Sequence, residues 1–281
     1  MNIIPTIQDM RALCRAARRA KQRIGLVPTM GALHEGHLSL VRIAKSMSGF
    51  VAVSIFVNPL QFGPKEDLTK YPRTFDRDCD LLKKEGVDVV FAPSVSEMYP
   101  ANTITYVNVE GLSERLDGQS RPGHFRGVTT VVSKLFHVAE PDFAVFGQKD
   151  AAQLAIIRRM VRDLNFPVEV IAGPIVREAD GLAMSSRNVY LDSAQRKQAL
   201  VLSQSLRRVQ ELFEEGERTS SRLIEGGRAV MGGKPAARLD YFSVVNPESL
   251  EPLNQVRDEA LVAVAAYVGT TRLIDNVVLR A

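Results

Sequence analysis

The chain of 281 residues is long enough for one large or two modest domains, and its composition (45% hydrophobic, 24% charged) is that of a globular protein. It shows neither a signal peptide nor a stretch approaching the roughly 20 apolar residues of a membrane span, so we expect a cytoplasmic protein. A net charge of +4 is too small for a nucleic-acid-binding stripe, and the two cysteines, Cys14 and Cys79, lack metal-ligand spacing.

The first third of the chain predicts a strand–helix–strand unit preceded by a helix. Residues 6–20 have helical apolar spacing with Thr6 as the N-cap, and residues 24–27 form a short buried strand. After a glycine-bearing turn, residues 37–48 again have helical spacing. Residues 50–57 are a β-branched and aromatic run typical of a parallel sheet.

The middle of the chain continues this alternation. We predict helices at residues 74–85, 128–138 and 151–165, and strands at residues 87–91, 142–146 and 168–171. Between them, residues 103–109 alternate like a half-exposed strand, and the polar residues 117–127 predict a mobile loop. Strands that alternate with helices predict an α/β fold, a Rossmann-like doubly wound parallel sheet.

The last third differs in pattern. Helices are predicted at residues 193–216 and 220–231, followed by strands at residues 239–245, 260–268 and 271–279. This order indicates a smaller α+β domain. Because the dipeptide at residues 173 and 174 is Gly-Pro, we place the boundary there, giving domains at residues 1–174 and 175–281.

The turn after the first predicted strand carries the most informative motif, PTMGALHEGH at residues 28–37. The first N–H groups of a helix have no internal partner and favour anions, and Gly31 and Gly36 let the backbone approach a phosphate. His34 and His37 share one helical face. They could ligate a metal, cap the helix or stabilise charge on a phosphoryl group.

Two later segments carry phosphate-binding residue types. Lys149 follows a strand and precedes a helix, where it can meet a phosphate as a point charge, and Asp150 beside it can cap that helix. Ser185, Ser186 and Arg187 add two hydroxyls and a guanidinium. Each segment alone is also consistent with an ordinary surface or packing role, so the combination carries the prediction.

Several longer blocks occur in order from residue 28 to residue 276. Besides the histidine motif they are FVNPLQF (56–62), YPRT (71–74), FGQKD (146–150), READGLAMSSRN (177–188) and GTTRLIDN (269–276). Together they closely resemble the pantothenate synthetase (pantoate–β-alanine ligase) family of the HxGH nucleotidyltransferase superfamily. The resemblance implies an ATP-dependent ligase that condenses pantoate with β-alanine through a pantoyl-adenylate, with Mg²⁺ accompanying ATP and a homodimer as the assembly.

The resemblance also implies roles for individual residues. His34, His37, Lys149 and Arg187 would be catalytic. Gln61 and Gln153 would hold pantoate, with Gln61 also near β-alanine. The C-terminal domain would close over the ATP site. The implied ATP-binding residues are Met30, Gly31, Ala32, Leu33, His34, Glu35, Gly36, His37, Gly147, Gln148, Lys149, Asp150, Val176, Met184, Ser185, Ser186 and Arg187.

Two other functions remain open from the sequence. The first is a nucleotidyltransferase that acts on a phosphorylated small molecule, since it would share the histidine turn. The second is an RNA-binding module, suggested by a basic cluster that also fits a solvated helix face: Arg11, Arg15, Arg18, Arg19, Lys21 and Arg23. The interval 103–127 is the least defined: Arg121, His124 and Arg126 could meet phosphates or belong to a solvated loop.

Overall fold

The computed structural model describes residues 1–64, 66–232 and 237–281. The strands are β1 (Asn2–Ile4), β2 (Ile24–Thr29), β3 (Phe50–Ile55), β4 (Val89–Phe91), β5 (Phe143–Gly147), β6 (Glu169–Gly173), β7 (Ala237–Val245), β8 (Glu259–Val268) and β9 (Thr271–Arg280). The helices are α1 (Ile7–Arg19), α2 (Glu35–Met47), α3 (Phe75–Lys84), α4 (Val95–Met98), α5 (Asp117–Ser120), α6 (His124–Ala139), α7 (Ala151–Asp163), α8 (Ser193–Ala199), α9 (Val201–Glu214) and α10 (Ser220–Met231).

Strands β1 to β6 form one parallel sheet in the order β1-β4-β3-β2-β5-β6. The chain runs outward from β2 through β3 to β4, and β5 and β6 lie on the other side of β2. The strand order therefore reverses between β2 and β5, which is where open α/β sheets bind ligands at the carboxyl ends of the strands. This confirms the predicted Rossmann-like sheet. The edge strand β1 was not predicted, because three residues are too few to show a pattern.

The parallel sheet is covered on both faces. Along β2, Ile24 and Leu26 pack with α1, α6 and α7 on one face, whereas Val27 packs with α2 and α3 on the other. Side chains of successive strand residues point to opposite faces, so a strand buried on both sides reads as a continuous apolar run. That is why β3 was recognisable from its sequence.

The C-terminal strands form a second, antiparallel sheet in the order β7-β8-β9, covered by α9 and α10. The three strands and the helix at residues 220–231 were predicted correctly, whereas the single helix predicted at residues 193–216 is divided at Leu200 into α8 and α9. Val245, Leu250, Leu261 and Ala263 from this segment join the core of the parallel sheet. The division at residue 174 stays a prediction.

The structure contradicts both predictions for the interval 103–127. Residues 103–109 form no strand, because Thr130 Oγ1 accepts a hydrogen bond from the Val107 N–H at 3.0 Å and Thr129 Oγ1 lies 2.6 Å from the Val107 carbonyl oxygen. The backbone is thus bonded to side chains of α6 instead of a neighbouring strand. Residues 117–127 are not one loop either, since they contain α5 and the first turn of α6.

Three of the six residues in the basic cluster around α1 are paired with acidic residues. Arg15 pairs with Glu140, and Arg18 pairs with Asp142, at nitrogen–oxygen distances of 3.2 Å. These pairs are exposed, as expected of a solvated helix face. Among the described residues no helix is long and apolar enough to cross a membrane.

Candidate active site

The histidine turn follows β2 at the point where the strand order reverses. Gly31 has a φ of +82° and Ala32 a φ of +51°, so two successive residues adopt the left-handed conformation that favours glycine. Asp78, on α3 and fully buried, accepts hydrogen bonds from the Ala32 N–H at 2.8 Å and the Leu33 N–H at 2.9 Å. The Thr74 hydroxyl donates a third hydrogen bond to Asp78, at 3.0 Å. A buried carboxylate therefore fixes the unusual turn from behind.

The two histidines lie against each other at the start of α2. Their ring centroids are 4.1 Å apart, and His37 Nδ1 accepts a hydrogen bond from the His34 N–H at 3.3 Å. In that arrangement a neutral His37 carries its proton on Nε2. Among the described residues, the buried Nδ1 of His34 has no hydrogen-bond partner, so it is a polar atom that a ligand could satisfy.

Both histidines are held in the neutral form. Burial lowers the pKa of His34 to about 4, with a further contribution from Lys149. Burial, reinforced by the neighbouring His34, lowers the pKa of His37 to about 3. Desolvation disfavours the charged imidazolium in both cases. At neutral pH the pair offers hydrogen bonds rather than positive charge.

The second wall of the site is the short 3₁₀ turn Gln148–Asp150 between β5 and α7. Lys149 Nζ lies 3.4 Å from Asp150 Oδ1, and the Lys149 side chain is only 20% exposed. Burial opposes the negative charge of Asp150, but the cations around it, Lys149 and then Arg187, together lower the pKa of Asp150. The ammonium is thus held close to the histidines by an ionised partner.

The third wall comes from the C-terminal part of the chain. Ser186 Oγ donates to the carbonyl oxygen of Ala32 at 3.2 Å, and a Cβ at Gly36 would lie 3.7 Å from Met184 Cβ. Arg187 makes a two-pronged ion pair with Asp67, with both nitrogen–oxygen distances 2.9 Å. Burial disfavours both charges, but their pairing lowers the pKa of Asp67 and raises that of Arg187.

Gln61 and Gln153 line a cavity of about 210 Å³ together with the histidines and Lys149. Gln61 is 8% exposed; its Oε1 accepts from Asn58 Nδ2 at 3.0 Å, and its Nε2 lies 2.9 Å from Met30 Sδ. The far wall of this inner cavity is apolar and comes from α6: Val128, Val131, Val132 and Leu135. The inner cavity adjoins an outer cavity of about 750 Å³, which Lys149, Arg187 and Gln153 also line.

Residues of the misassigned interval 117–127 support Gln61 from behind. His124 Nδ1 lies 2.7 Å from the Gln61 carbonyl oxygen, and Arg121 donates to the same oxygen at 3.3 Å. Arg121 also forms a two-pronged pair with Glu66 at 2.7 and 2.6 Å. Burial lowers the pKa of His124 to about 3, with Arg121 contributing. This segment therefore belongs to the wall of the site.

The structure brings most of the predicted site residues around the inner cavity: Met30, His34, Gly36, His37, Gln61, Gly147, Lys149, Asp150, Gln153, Val176, Met184, Ser185, Ser186 and Arg187. Five predicted ATP contacts do not line it. Gly31, Ala32 and Leu33 belong to the turn held by Asp78, Glu35 pairs with Arg42, and Gln148 contacts Asn276. Their contact with ATP stays a prediction.

Metal ligation by the histidine pair was an open alternative. In the described ranges, no group of three or more His, Cys, Asp or Glu side chains is arranged to hold a metal ion. A divalent cation usually needs several such ligands unless a substrate supplies them.

Asp78, Asp67 and Asn276 were missed as site residues. Asp78 is in a run of charges that reads as an exposed helix face, and Asp67 precedes it in a polar loop. Asn276 belonged to a recognised motif but had no assigned role. Each acts by a contact to a residue more than 40 positions away, which a local pattern cannot reveal.

Known proteins resemble this chain over nearly its whole length. The sequence profile of the family described as pantoate-beta-alanine ligase matches residues 2–278. A pantothenate synthetase of Koribacter versatilis is 61% identical over 281 residues, which is 100% of this chain and 97% of the relative.

Solved structures of two related proteins also resemble this chain. The crystal structure of pantothenate synthetase from Thermus thermophilus superposes with a TM-score of 0.94 at 47% identity, covering 99% of each chain. A pantoate-beta-alanine ligase from Francisella tularensis, complexed with beta-gamma ATP and beta-alanine, has a TM-score of 0.80 at 33% identity, covering 99% of this chain and 97% of that one. The chain therefore belongs to the pantoate–β-alanine ligase family.

Proposed function

We propose that this ligase activates pantoate with ATP in the inner cavity. The amides around the cavity bind pantoate, and the cations bind the triphosphate. The reaction condenses pantoate with β-alanine through a pantoyl-adenylate and releases diphosphate and then AMP. The observation that carries the assignment is one cavity holding two carboxamides, an apolar wall, two neutral histidines and a lysine. The carboxamides and the apolar wall suit an acid with hydroxyl and methyl groups, and the histidines and the lysine suit a triphosphate beside it.

The carboxamides of Gln61 and Gln153 suit pantoate. Its carboxylate is ionised at neutral pH and needs no general base to attack the α-phosphorus, so positioning dominates the first step. Neutral amides bond the hydroxyl groups without pairing with the nucleophilic carboxylate, as an arginine would. The apolar side chains of α6, Val128 and Val131 among them, suit the two methyl groups of pantoate.

The groups on the other side suit the triphosphate. His34, His37 and Lys149 lie together at the beginnings of two helices, where unpaired N–H groups favour anions. His37 acts as a hydrogen-bond donor to the charge that grows on the phosphates, since its lowered pKa leaves it neutral. Arg187 joins from the C-terminal side by exchanging Asp67 for a phosphate.

Mg²⁺ accompanying ATP would offset the negative charge of the triphosphate beside Lys149 and Arg187. The Francisella tularensis ligase was crystallised with beta-gamma ATP and beta-alanine, which supports both as ligands of this chain. The outer cavity, which opens beside Lys149 and Gln153, offers the space through which β-alanine reaches the acyl carbon. The C-terminal segment covers the nucleotide from the side of Met184.

The pantoate assignment is tested with Gln153→Ala, which removes a carboxamide and leaves the phosphate-binding groups in place. The variant should raise the KM for pantoate by about 10-fold or more while changing the KM for ATP little, as expected for one lost polar contact. Gln210→Ala, on the exposed face of α9, is the matched control. An unchanged pantoate KM would remove Gln153 from the acid pocket.

The assembly is proposed to be a homodimer located in the cytoplasm. Ile104 is 86% exposed and Tyr106 is 42% exposed on the extended segment before α6, an apolar surface that a second copy could cover. Both cysteines are buried free thiols, as is usual in a reducing compartment. Light scattering should give twice the chain mass for the wild type and a monomer for Ile104→Asp. A monomeric wild type would contradict the dimer.

A further inference from the structure

Asn276 lies on β9 of the C-terminal sheet but makes its side-chain contacts with the Gln148–Asp150 turn of the parallel-sheet half. Its Nδ2 donates to the carbonyl oxygen of Gln148 at 3.0 Å and to that of Lys149 at 2.9 Å. Its Oδ1 accepts from Gln148 Nε2 at 3.3 Å. Asn276 is only 2% exposed, so these three bonds use most of what a buried carboxamide can offer.

Asp275, the residue before Asn276, connects β9 to the opposite wall of the inner cavity. Asp275, also 2% exposed, accepts two bonds from Arg177 at 2.7 and 3.0 Å, and one from the Asn276 N–H at 2.8 Å. Arg177 pairs as an isolated bridge with Ala183, in the segment that carries Val176 and Met184. The middle of β9 thus contacts both the lysine turn and, through Arg177, the segment that carries Val176 and Met184.

We propose that Asn276 is a positioning residue for Lys149, and that β9 sets the distance between the lysine turn and the Val176–Met184 wall. The inference rests on the proposed role of Lys149 in binding the triphosphate. Lys149 is the central residue of the three-residue turn Gln148–Asp150, and no side chain caps the start of that turn. Its backbone carbonyl is fixed instead by a residue 127 positions later in the chain.

The substitution Asn276→Asp probes this role with almost no change in volume. Oδ1 can still accept from Gln148, but the second oxygen replaces a donor and faces two carbonyl oxygens at hydrogen-bond distance. Repulsion between acceptors should move the turn and with it the ammonium of Lys149. A displacement of about 1 Å at a charged group in an active site can cost about 100-fold in rate.

The test measures pantoate-dependent exchange of labelled diphosphate into ATP in four proteins: wild type, Asn276→Asp, Lys149→Ala and the double variant. Asn276→Asp should lower kcat by about 10- to 100-fold and change the pantoate KM by less than about twofold. In the Lys149→Ala background the further loss should fall below about twofold, because two residues that act through one contact are not additive. Equal losses in both backgrounds, or wild-type activity of Asn276→Asp, would overturn the proposal.

A second readout separates this inference from the proposed function. Hydrogen exchange of the backbone amides at residues 148–151 should accelerate in Asn276→Asp, and in the milder Asn276→Ser if the aspartate variant does not fold. Val277→Ala, which removes two methyl groups from the next residue of β9, should leave that exchange unchanged. Equal acceleration in Val277→Ala, or none in either Asn276 variant, would refute the positioning role. If the wild type does not exchange labelled diphosphate into ATP in the presence of pantoate, the proposed function is refuted instead.

Discussion

At the scale of single residues, the site works with neutral imidazoles next to fixed cations. His34 and His37 touch each other and lie near Lys149, so a proton on either ring would be repelled by its neighbours and poorly solvated. The positive charges come from Lys149 and Arg187, each already paired with a carboxylate. We infer that the histidines supply directed hydrogen bonds, while the lysine and arginine supply charge.

Replacing His37 with alanine should therefore slow adenylate formation without unfolding the protein. Loss of one preorganised donor to developing charge costs about 2 to 4 kcal/mol, or about 100- to 1,000-fold in rate. The rate of diphosphate release in a single turnover measures this. His137→Ala, at an exposed histidine of α6, is the control and should keep the wild-type rate. Near-wild-type release by His37→Ala would exclude His37 from the first step.

The buried histidines also predict how stability depends on pH. Burial lowers the pKa of His124 to about 3, whereas an unfolded histidine titrates near 6.5. The unfolded chain therefore binds the proton first as pH falls below about 6.5, and stability drops toward acid by up to about 1.4 kcal/mol per pH unit for this group.

Urea unfolding between about pH 7 and pH 4.5 checks this expectation, in a range above most carboxylate titrations. The variant His124→Asn should have a shallower loss of stability in that range than the wild type. The same substitution at exposed His137 controls for the loss of an imidazole as such. Identical slopes for wild type and His124→Asn would show that His124 titrates normally in the folded protein.

At the scale of elements, sequence patterns predicted the strands and helices whose conformation depends on nearby residues. The strands β2, β3 and β5 are continuous apolar runs, and Thr6 caps α1 as its sequence suggested, accepting from the Asp9 N–H at 3.2 Å. Residues 103–109 alternate like a strand, but the threonines of α6 take the hydrogen bonds of Val107. That competition depends on tertiary packing, which the sequence pattern does not contain.

The same distinction applies to the site. Residues that follow the carboxyl ends of strands, such as His34 and Lys149, could be predicted because parallel strands end at one edge of a sheet. Asp78 and Asn276 could not, since each stabilises a turn from another element. The polar segment 117–127 looked like a solvated loop because its charged side chains find their partners elsewhere in the chain, Arg121 with Glu66 and Asp117 with Arg272, only once the chain has folded.

The packing of α6 on the Asn58–Gln61 loop provides a prediction at this scale. A Cβ at Gly127 would lie 2.3 Å from the Leu60 carbonyl oxygen and 2.6 Å from the Gln61 N, closer than real contacts allow. Gly127→Ala should therefore push Gln61 from its place and raise the pantoate KM by about 10-fold or more. In Gly49→Ala the new Cβ would have ordinary contacts of 3.5 Å, so its KM should not change. Equal KM values would contradict this packing role.

At the scale of the whole molecule, the C-terminal segment completes a site that the parallel sheet begins. Arg272 pairs with Asp117 at 2.7 Å and Asp240 at 2.8 Å, which joins the antiparallel sheet to the segment behind Gln61. Arg187 reaches Asp67 on the other side of the opening. Three walls from distant parts of the chain thus enclose a cavity in which an acid and a triphosphate can be held together.

We propose that this cavity activates pantoate before the amine arrives. The most direct measurement is exchange of labelled diphosphate into ATP with pantoate present and β-alanine absent. Because adenylate formation is reversible and precedes amide formation, the exchange should proceed without β-alanine and stop when pantoate is withheld. Exchange that requires β-alanine, or that proceeds without pantoate, would contradict the account.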